Sequence, residues 1–360
     1  MSKPRGNNGS SAPGPAGLAC PVPVSIQDTV TMAHGSGGRL TRELIENVFR
    51  SGFSNRYLDA MHDGAIVPAG NCRIAMSTDS YVISPLFFPG GDIGSLSVHG
   101  TVNDLCMCGA RPAFLSVAMI IEEGLPVDEL RRVVASMQEA AARSGVALVT
   151  GDTKVVDRGK GDRLFITTTG IGLVDAGVDV SPKRAAPGDA VILSGGIAEH
   201  GIAVMSVREG LEFGTGILSD SAPLDGLVSA MLGTGADIHV LRDPTRGGIA
   251  SALNEIAADA GVGIGISEKS IPVREDVRAA CEILGMDPLY VANEGKLLAF
   301  VPRENSGPVL SAMHRHPLGR RATVIGEVIS DHPGIVVMET TIGGSRVVDM
   351  LSGDQLPRIC

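Results

Sequence analysis

Residues 128–154 read DELRRVVASMQEAAARSGVALVTGDTK, and the fold class follows from how the apolar residues are spaced in that stretch. Leu130, Val133, Val134, Met137, Ala140 and Ala141 recur every three or four positions, the period at which side chains line one face of an α-helix. Asp128 is placed to cap this helix and Gly145 to end it. Val146–Thr150 then has the short, apolar, β-branched character of a strand. It runs directly into Gly151-Asp152-Thr153-Lys154, which puts a carboxylate and an amine beside a strand. A helix feeding a strand in this way predicts an α/β (α+β) chain.

Working outward, Leu164–Val174 alternates β-branched and small residues and reads as a further strand. The Pro- and Gly-rich passage 181–188 breaks that pattern and marks a domain boundary. Beyond it an apolar strand at Ala190–Leu193 restarts the alternation, with helices expected over Ile249–Ala260 and Val273–Leu284. Strands are expected over Ala322–Ile329 and Gly334–Glu339. The predicted organisation is a loose, disordered Gly/Pro/Ser/Asn-rich extension over 1–30, one domain over 31–182, a second over 183–350, and a flexible tail over 351–360.

The 360 residues carry a formal net charge of −10, and their Lys and Arg are not clustered. A nucleic-acid backbone or an anionic membrane is therefore not the expected partner, and an anionic substrate needs metal ions or backbone amides to hold it. The cysteines at 20, 72, 106, 108, 281 and 360 form no CxxC pair, which argues against zinc and disulfide frameworks. No signal-peptide core is present, and the longest apolar run, Ala113–Ile121, stops at Glu122. A soluble chain of a reducing cytoplasm is the expectation.

Four stretches of the first half set an aspartate among small residues: His62-Asp63-Gly64, Ser77-Thr78-Asp79-Ser80, Val102-Asn103-Asp104-Leu105 and Gly151-Asp152-Thr153-Lys154. Each alone serves equally as a turn or a helix cap. Together they suit a hard divalent cation shared with nucleotide phosphates, so Mg²⁺ and ATP are the expected ligands. The turn His34-Gly35-Ser36-Gly37-Gly38 offers amides to phosphate oxygens without being a Walker A loop. Asp243-Pro244-Thr245-Arg246-Gly247-Gly248 again joins a carboxylate and a cation to a helix start. The chain finishes on Pro357-Arg358-Ile359-Cys360, which is no prenylation box. A ten-residue tail reaches roughly 30 Å when extended, enough for one thiol to visit both a partner and a site on its own chain. The neighbouring carboxylate disfavours the Cys360 thiolate, and Arg358 is placed to offset part of that. Cys106 and Cys108 read as packed small hydrophobes, and His34 and His200, both beside glycine, as the histidines to test.

With Gly100-Thr101-Val102-Asn103-Asp104-Leu105 and Asn293-Glu294-Gly295-Lys296 added, these motifs closely resemble the HypE family of hydrogenase-maturation carbamoyl dehydratases from about His34 to Cys360. That family sits in the ATP-binding superfamily of aminoimidazole ribonucleotide synthetase, selenophosphate synthetase and thiamine-monophosphate kinase. The resemblance implies a two-domain fold: an N-terminal ATP-binding domain that forms a homodimer through a shared β-barrel, and a C-terminal α/β domain. It implies that a carbamoyltransferase, HypF, loads the terminal cysteine, that the enzyme dehydrates the thiocarbamate to a thiocyanate using ATP, and that the cyanide passes to iron on a HypC–HypD complex. By position it assigns Asp63, Asp79, Asp104 and Asp152 to metal and ATP, with Thr78, Asn103 and Asp243 as their neighbours at the nucleotide, where the turn amides of Gly35, Gly37 and Gly38 are also expected to bind. Cys360, Glu294 and Lys154 become the catalytic set, as carrier, base and charge stabiliser. One departure is that relatives carry paired acids where this chain has His62-Asp63. A small-molecule kinase or synthetase of the same superfamily, or a nucleotide-binding scaffold, remain the alternatives.

Overall fold

In a computed structural model of the chain, residues 29–211, 216–353 and 358–360 are described. The expected extension over 1–30 thus falls almost wholly outside the described residues, as do positions 354–357 of the expected tail.

The first sheet uses β1 (Ala65–Ala69), β2 (Cys72–Tyr81), β5 (Ala110–Glu122), β6 (Ala147–Val156) and β7 (Leu164–Val174) in the order β1-β2-β7-β5-β6. All its pairings are antiparallel except β5 with β6. A short hairpin, β3 (Phe87–Phe88) with β4 (Gly91–Asp92), stands in chain order between the helices of this half. Two of these, α1 (Arg39–Leu44) and α2 (Ser51–Phe53), precede β1; the other two, α3 (Ile93–Met107) and α4 (Val127–Arg143), follow the hairpin. The period read over 128–141 gives α4, with Val133, Met137, Ala140 and Ala141 buried. Asp128 does not cap it: Pro126 occupies the cap position, and Asp128 lies inside the first turn, paired with Arg131 at 2.7 Å.

The second sheet has the order β14-β13-β10-β12-β8-β11-β9. Its strands are β8 (Asp189–Leu193), β9 (Val240–Arg242), β10 (Gly263–Ser267), β11 (Leu298–Pro302), β12 (Thr323–Ile329), β13 (Val336–Glu339) and β14 (Ser345–Val348). Only β10 with β13 is parallel. The helices are α5 (Glu199–Arg208), α6 (Asp225–Leu232), α7 (Gly248–Ala260), α8 (Glu275–Leu284) and α9 (Ser306–Arg315). One core cluster runs from Tyr81, Leu96 and Leu115 in the first half to Ile192, Leu241 and Val301 in the second. The halves therefore share buried apolar surface, and Thr31–Cys360 forms one compact unit.

Helix α3 is the axle of the first half. All its residues but Asp104 are buried, and Asp92 caps it by accepting from the amides of Gly94 and Ser95. It lies so close to β2 that a Cβ at Gly100 would stand 2.2 Å from Tyr81 Oη. Tyr81 is only 1% exposed and has nowhere to retreat. Gly100→Ala is expected to lower the free energy of unfolding by about 1–3 kcal/mol through overpacking, read as a lower midpoint in urea; an unchanged midpoint would show that the contact is slack.

Candidate active site

Asp63, Asp104 and Asp243 converge, each offering a carboxylate oxygen within 4.8 Å of the others. They arrive by different routes. Asp63 comes from the loop before β1, Asp104 is the single unburied residue of α3, and Asp243 follows β9. Asn103-Asp104 thus lies inside a helix, and Asp79 and Asp152 lie inside strands rather than in turns.

Three like charges in one buried spot repel, and their proton affinities show it. Burial first, then Asp243, Asp79 and Asp63, push the Asp104 carboxyl well above its ordinary range, against a 2.6 Å hydrogen bond donated by Ser77 Oγ. Burial and the Asp63 charge raise Asp243 to about 8. Asp63 goes the other way: burial would raise it, but Arg242 Nη1 at 3.0 Å and His62 hold it low. His62 Nδ1 lies 2.9 Å from the Asp63 amide and 3.5 Å from Asp63 Oδ2, while its Nε2 faces the Val180 carbonyl at 3.2 Å. Arg242 also pairs with Glu255. Asp63 Oδ2 has no hydrogen-bond donor, and this orphaned oxygen in a set of three hard carboxylates fits a divalent cation.

Beside this cluster stands Glu294, 3% exposed, whose Oε1 also has no hydrogen-bond partner. Burial, then Asp243, Asp220 and Asp79, raise its carboxyl well above the usual value. Two asparagines hold the Glu294 loop. Asn103 Nδ2 donates to the Glu294 and Ala222 carbonyls while its Oδ1 accepts from Leu224 N. Asn293 bonds Pro244 O, Val291 O and the amide of Ala198. That last bond pins Ala198 at φ 73°, a left-handed conformation costly for alanine, at the start of α5. Lys296 Nζ balances Asp220 (3.2 Å) and Glu199 (3.3 Å) underneath.

The end of the chain enters this cleft. Val82 N donates to Cys360 O (3.1 Å) and Ser84 N to Arg358 O (3.3 Å), an antiparallel addition to the segment after β2. Arg208 Nη2 donates to both Ser84 O and Arg358 O. Burial raises the Cys360 thiol; Arg246 opposes this, while Glu294, Asp79 and Asp243 add to it. The cation that offsets the thiolate penalty is thus Arg246, and not Arg358, which pairs with Asp162 instead.

The remaining expected residues are placed as follows. The Gly35–Gly38 turn packs on Arg246, whose Nη1 donates to Gly35 O at 3.2 Å, and Gly37 N is taken by Thr41 Oγ1. Thr78 bonds Thr168 and Thr169 on β7. Asp152 and Lys154 pair with each other at 2.5 Å on exposed β6 and do not join the cluster within one chain. A cleft of about 480 Å³ opens beside Asp63 and Ser77, walled by Phe49, Phe53, Tyr57 and Arg42. Arg242, Lys296 and Asp220 were not singled out in the sequence as site residues. Their ion pairs cross long sequence separations and leave no local pattern.

The family described as AIR synthase related protein, N-terminal domain, matches residues 61–174, and its C-terminal domain matches 186–339. The chain is 56% identical over 332 residues to "Carbamoyl dehydratase HypE" of Azotobacter vinelandii, covering 92% of this chain and 97% of that protein. Among solved structures, HypE in a HypE–HypF complex aligns with a TM-score of 0.82 at 52% identity, over 86% of this chain and 99% of that one. The hydrogenase maturation protein HypE in complex with ATP aligns with a TM-score of 0.78 at 49% identity, over 92% and 100%. With both domain models matched and identity above one half along most of its length, the chain belongs to the HypE carbamoyl dehydratase family of hydrogenase maturation proteins.

Proposed function

We propose that this chain is an ATP-dependent carbamoyl dehydratase that turns an S-carbamoyl group on Cys360 into a thiocyanate, a source of cyanide for the iron of a [NiFe]-hydrogenase. The observation that carries the reading is the seated chain end, with Val82 N donating to Cys360 O at 3.1 Å and Ser84 N to Arg358 O at 3.3 Å, which brings the thiol under the opposing influence of Arg246 and Glu294.

A carboxamide oxygen leaves poorly until it is phosphorylated. The carbamoyl oxygen attacks the γ-phosphorus of ATP, the β–γ bridge breaks, ADP departs and one nitrogen proton is lost, giving an imidate phosphate on sulfur. A base then takes the remaining N–H proton, the C–O bond breaks, phosphate leaves and S–C≡N remains. Glu294 suits the base: its carboxyl is buried, one oxygen is unpartnered, and burial beside Asp243, Asp220 and Asp79 gives it a higher proton affinity than an ordinary carboxylate. Arg246 suits the charge that builds on the imidate oxygen. Asp63, Asp104 and Asp243, with Asp79 within electrostatic reach, would hold Mg²⁺, which when bound supplies neutralisation of the transferring phosphoryl group.

We place the acceptor of cyanide on a HypC–HypD complex and the donor of carbamoyl on a HypF-type transferase, both in the cytoplasm. Among the described residues no helix is long and apolar enough to cross a membrane. The homodimer belongs to the same reading. The face of the first sheet turned away from α3 exposes Met76, Phe114, Ile120, Ile171 and Leu173, a patch that favours burial. Asp152 and Lys154 lie on that face in register with Ala118 and Ile120, so a second copy covering it accounts for their role across the interface.

Cys360→Ala is expected to bind ATP as the parent does and to gain no mass with carbamoyl phosphate, transferase and ATP. Glu294→Gln is expected to accept the carbamoyl group but lose water about 10²–10⁴-fold more slowly in intact-mass time courses; dehydration at the parental rate would remove Glu294 from the chemistry. Phe114→Asp is expected to yield monomers in light scattering and to lose turnover; an active monomer would refute the shared-site assignment of Asp152 and Lys154. The raised proton affinity of Asp243 means that its folded form favours the proton, so that stabilisation is present at low pH and lost as pH rises through about 8. The melting temperature in chelator should therefore fall by a few degrees between about pH 6 and pH 8, with magnesium or Asp243→Asn flattening the slope. A slope unchanged by either would show that the cluster does not bind the ion.

A further inference from the structure

His200 is the second residue of α5 and is fully buried. Its Nε2 lies 2.9 Å from the carbonyl oxygen of Ile359, the residue before Cys360, and its Nδ1 lies 2.8 Å from Ser219 Oγ. A carbonyl only accepts, so Nε2 carries the proton. In the neutral ring Nδ1 is then the acceptor, taking its hydrogen bond from the Ser219 hydroxyl, while Ser219 Oγ accepts from Ser221 N at 3.1 Å. Burial favours the neutral ring, with the Asp220 charge and the Ile359 carbonyl pulling the other way. The Phe88 ring stands edge-on to the imidazole at 5.4 Å and limits its tilt. With the tail seated, proton position and ring orientation are thus both fixed.

The tail adds to the segment 82–84 through the carbonyls of Arg358 and Cys360. In an antiparallel pairing the residue between faces away, and the Ile359 carbonyl finds its donor in His200 instead. Any three residues could make the two backbone bonds; the bond to His200 fixes the peptide plane adjoining Cys360, and with it the direction in which the sulfur points. Ile359 is buried at 2% exposure in the shared core, so the residue is gripped on both its side chain and its carbonyl. The imidazole's hydrogen bonds go to Ser219 Oγ and the Ile359 carbonyl.

We infer that His200 is a positioning residue for the dehydration step, its Nε2–H holding the Ile359 carbonyl so that the group carried on Cys360 is aimed at Glu294 and the nucleotide. The inference deepens the reading above and rests on it for the chemistry, whereas the seating it describes can be measured without any reaction. A misplacement of about 1 Å can cost on the order of 10²-fold in rate.

The test compares His200→Gln, whose amide nitrogen reaches the place of Nε2, with His200→Asn, whose amide falls short of it. Iodoacetamide trapping is followed at the peptide carrying residue 360, which separates it from exposed Cys72. Dehydration is followed in single turnover on full-length chain loaded with carbamoyl phosphate and the transferase. His200→Asn is expected to be trapped about tenfold faster, from the lost hydrogen bond and stranded carbonyl, and to dehydrate about a hundredfold more slowly, with ATP affinity unchanged. His200→Gln should return both rates to within about threefold of the parent. Equal rates in parent and His200→Asn, or a folded His200→Gln as impaired as His200→Asn, would overturn the inference. If His200→Asn does not fold, Ser219→Ala frees the ring with little change of core volume, and unchanged trapping there overturns it too. A parent that protects its thiol but never loses water would sink the dehydratase reading and leave this inference standing.

Discussion

The costly feature of this molecule is the crowding of Asp63, Asp104, Asp243 and Glu294 into one cleft. Burial, and then mutual repulsion, raises the proton affinity of three of them, while Asp63 has the Arg242 guanidinium at 3.0 Å to keep it charged. Isolated buried charge of this kind is removed by protonation or by a counter-ion. The chain supplies cations around the rim, Arg242 on one side, Arg246 by the thiol and Lys296 below. It leaves Asp63 Oδ2 and Glu294 Oε1 without hydrogen-bond partners at the centre. The packing of the two halves follows from this constraint: two of the carboxylates come from each half, and Asn103 ties α3 to the Glu294 loop. Weakening the shared core would open the cleft before it touched any reacting group.

The same electrostatics decide what the terminal sulfur can do. Burial keeps the seated Cys360 thiol protonated, and the thiolate is the nucleophile. Inside the cleft the sulfur is therefore a poor attacker and a good bearer, suited to a group attached elsewhere and altered here. A docked tail held by backbone pairing, Arg208 and His200 serves this division of labour, since each of these hydrogen bonds can be broken and remade.

Periodic elements were legible in the sequence. Leu164–Val174 and the helix after Asp128 carry clean two- and 3.6-residue patterns because each has one wet and one dry face. Helix α3 was not legible, since nearly every residue is buried and no stripe marks it; Asn103-Asp104 therefore read as a turn or a helix cap. The acidic motifs pointed to the cluster, yet spacing could not say that Asp152 stands apart on an edge strand while Asp243, from the second half, completes the set. His200 drew notice only for its glycine neighbour, and its partner lies 159 positions away.

The account stands or falls on how the carbamoyl oxygen leaves. The direct measurement is to load Cys360 with an ¹⁸O-labelled carbamoyl group, add ATP for a single turnover, and follow the label by mass spectrometry. The account predicts that the label appears in inorganic phosphate, one atom per thiocyanate formed. Label released into water, with unlabelled phosphate, would contradict it.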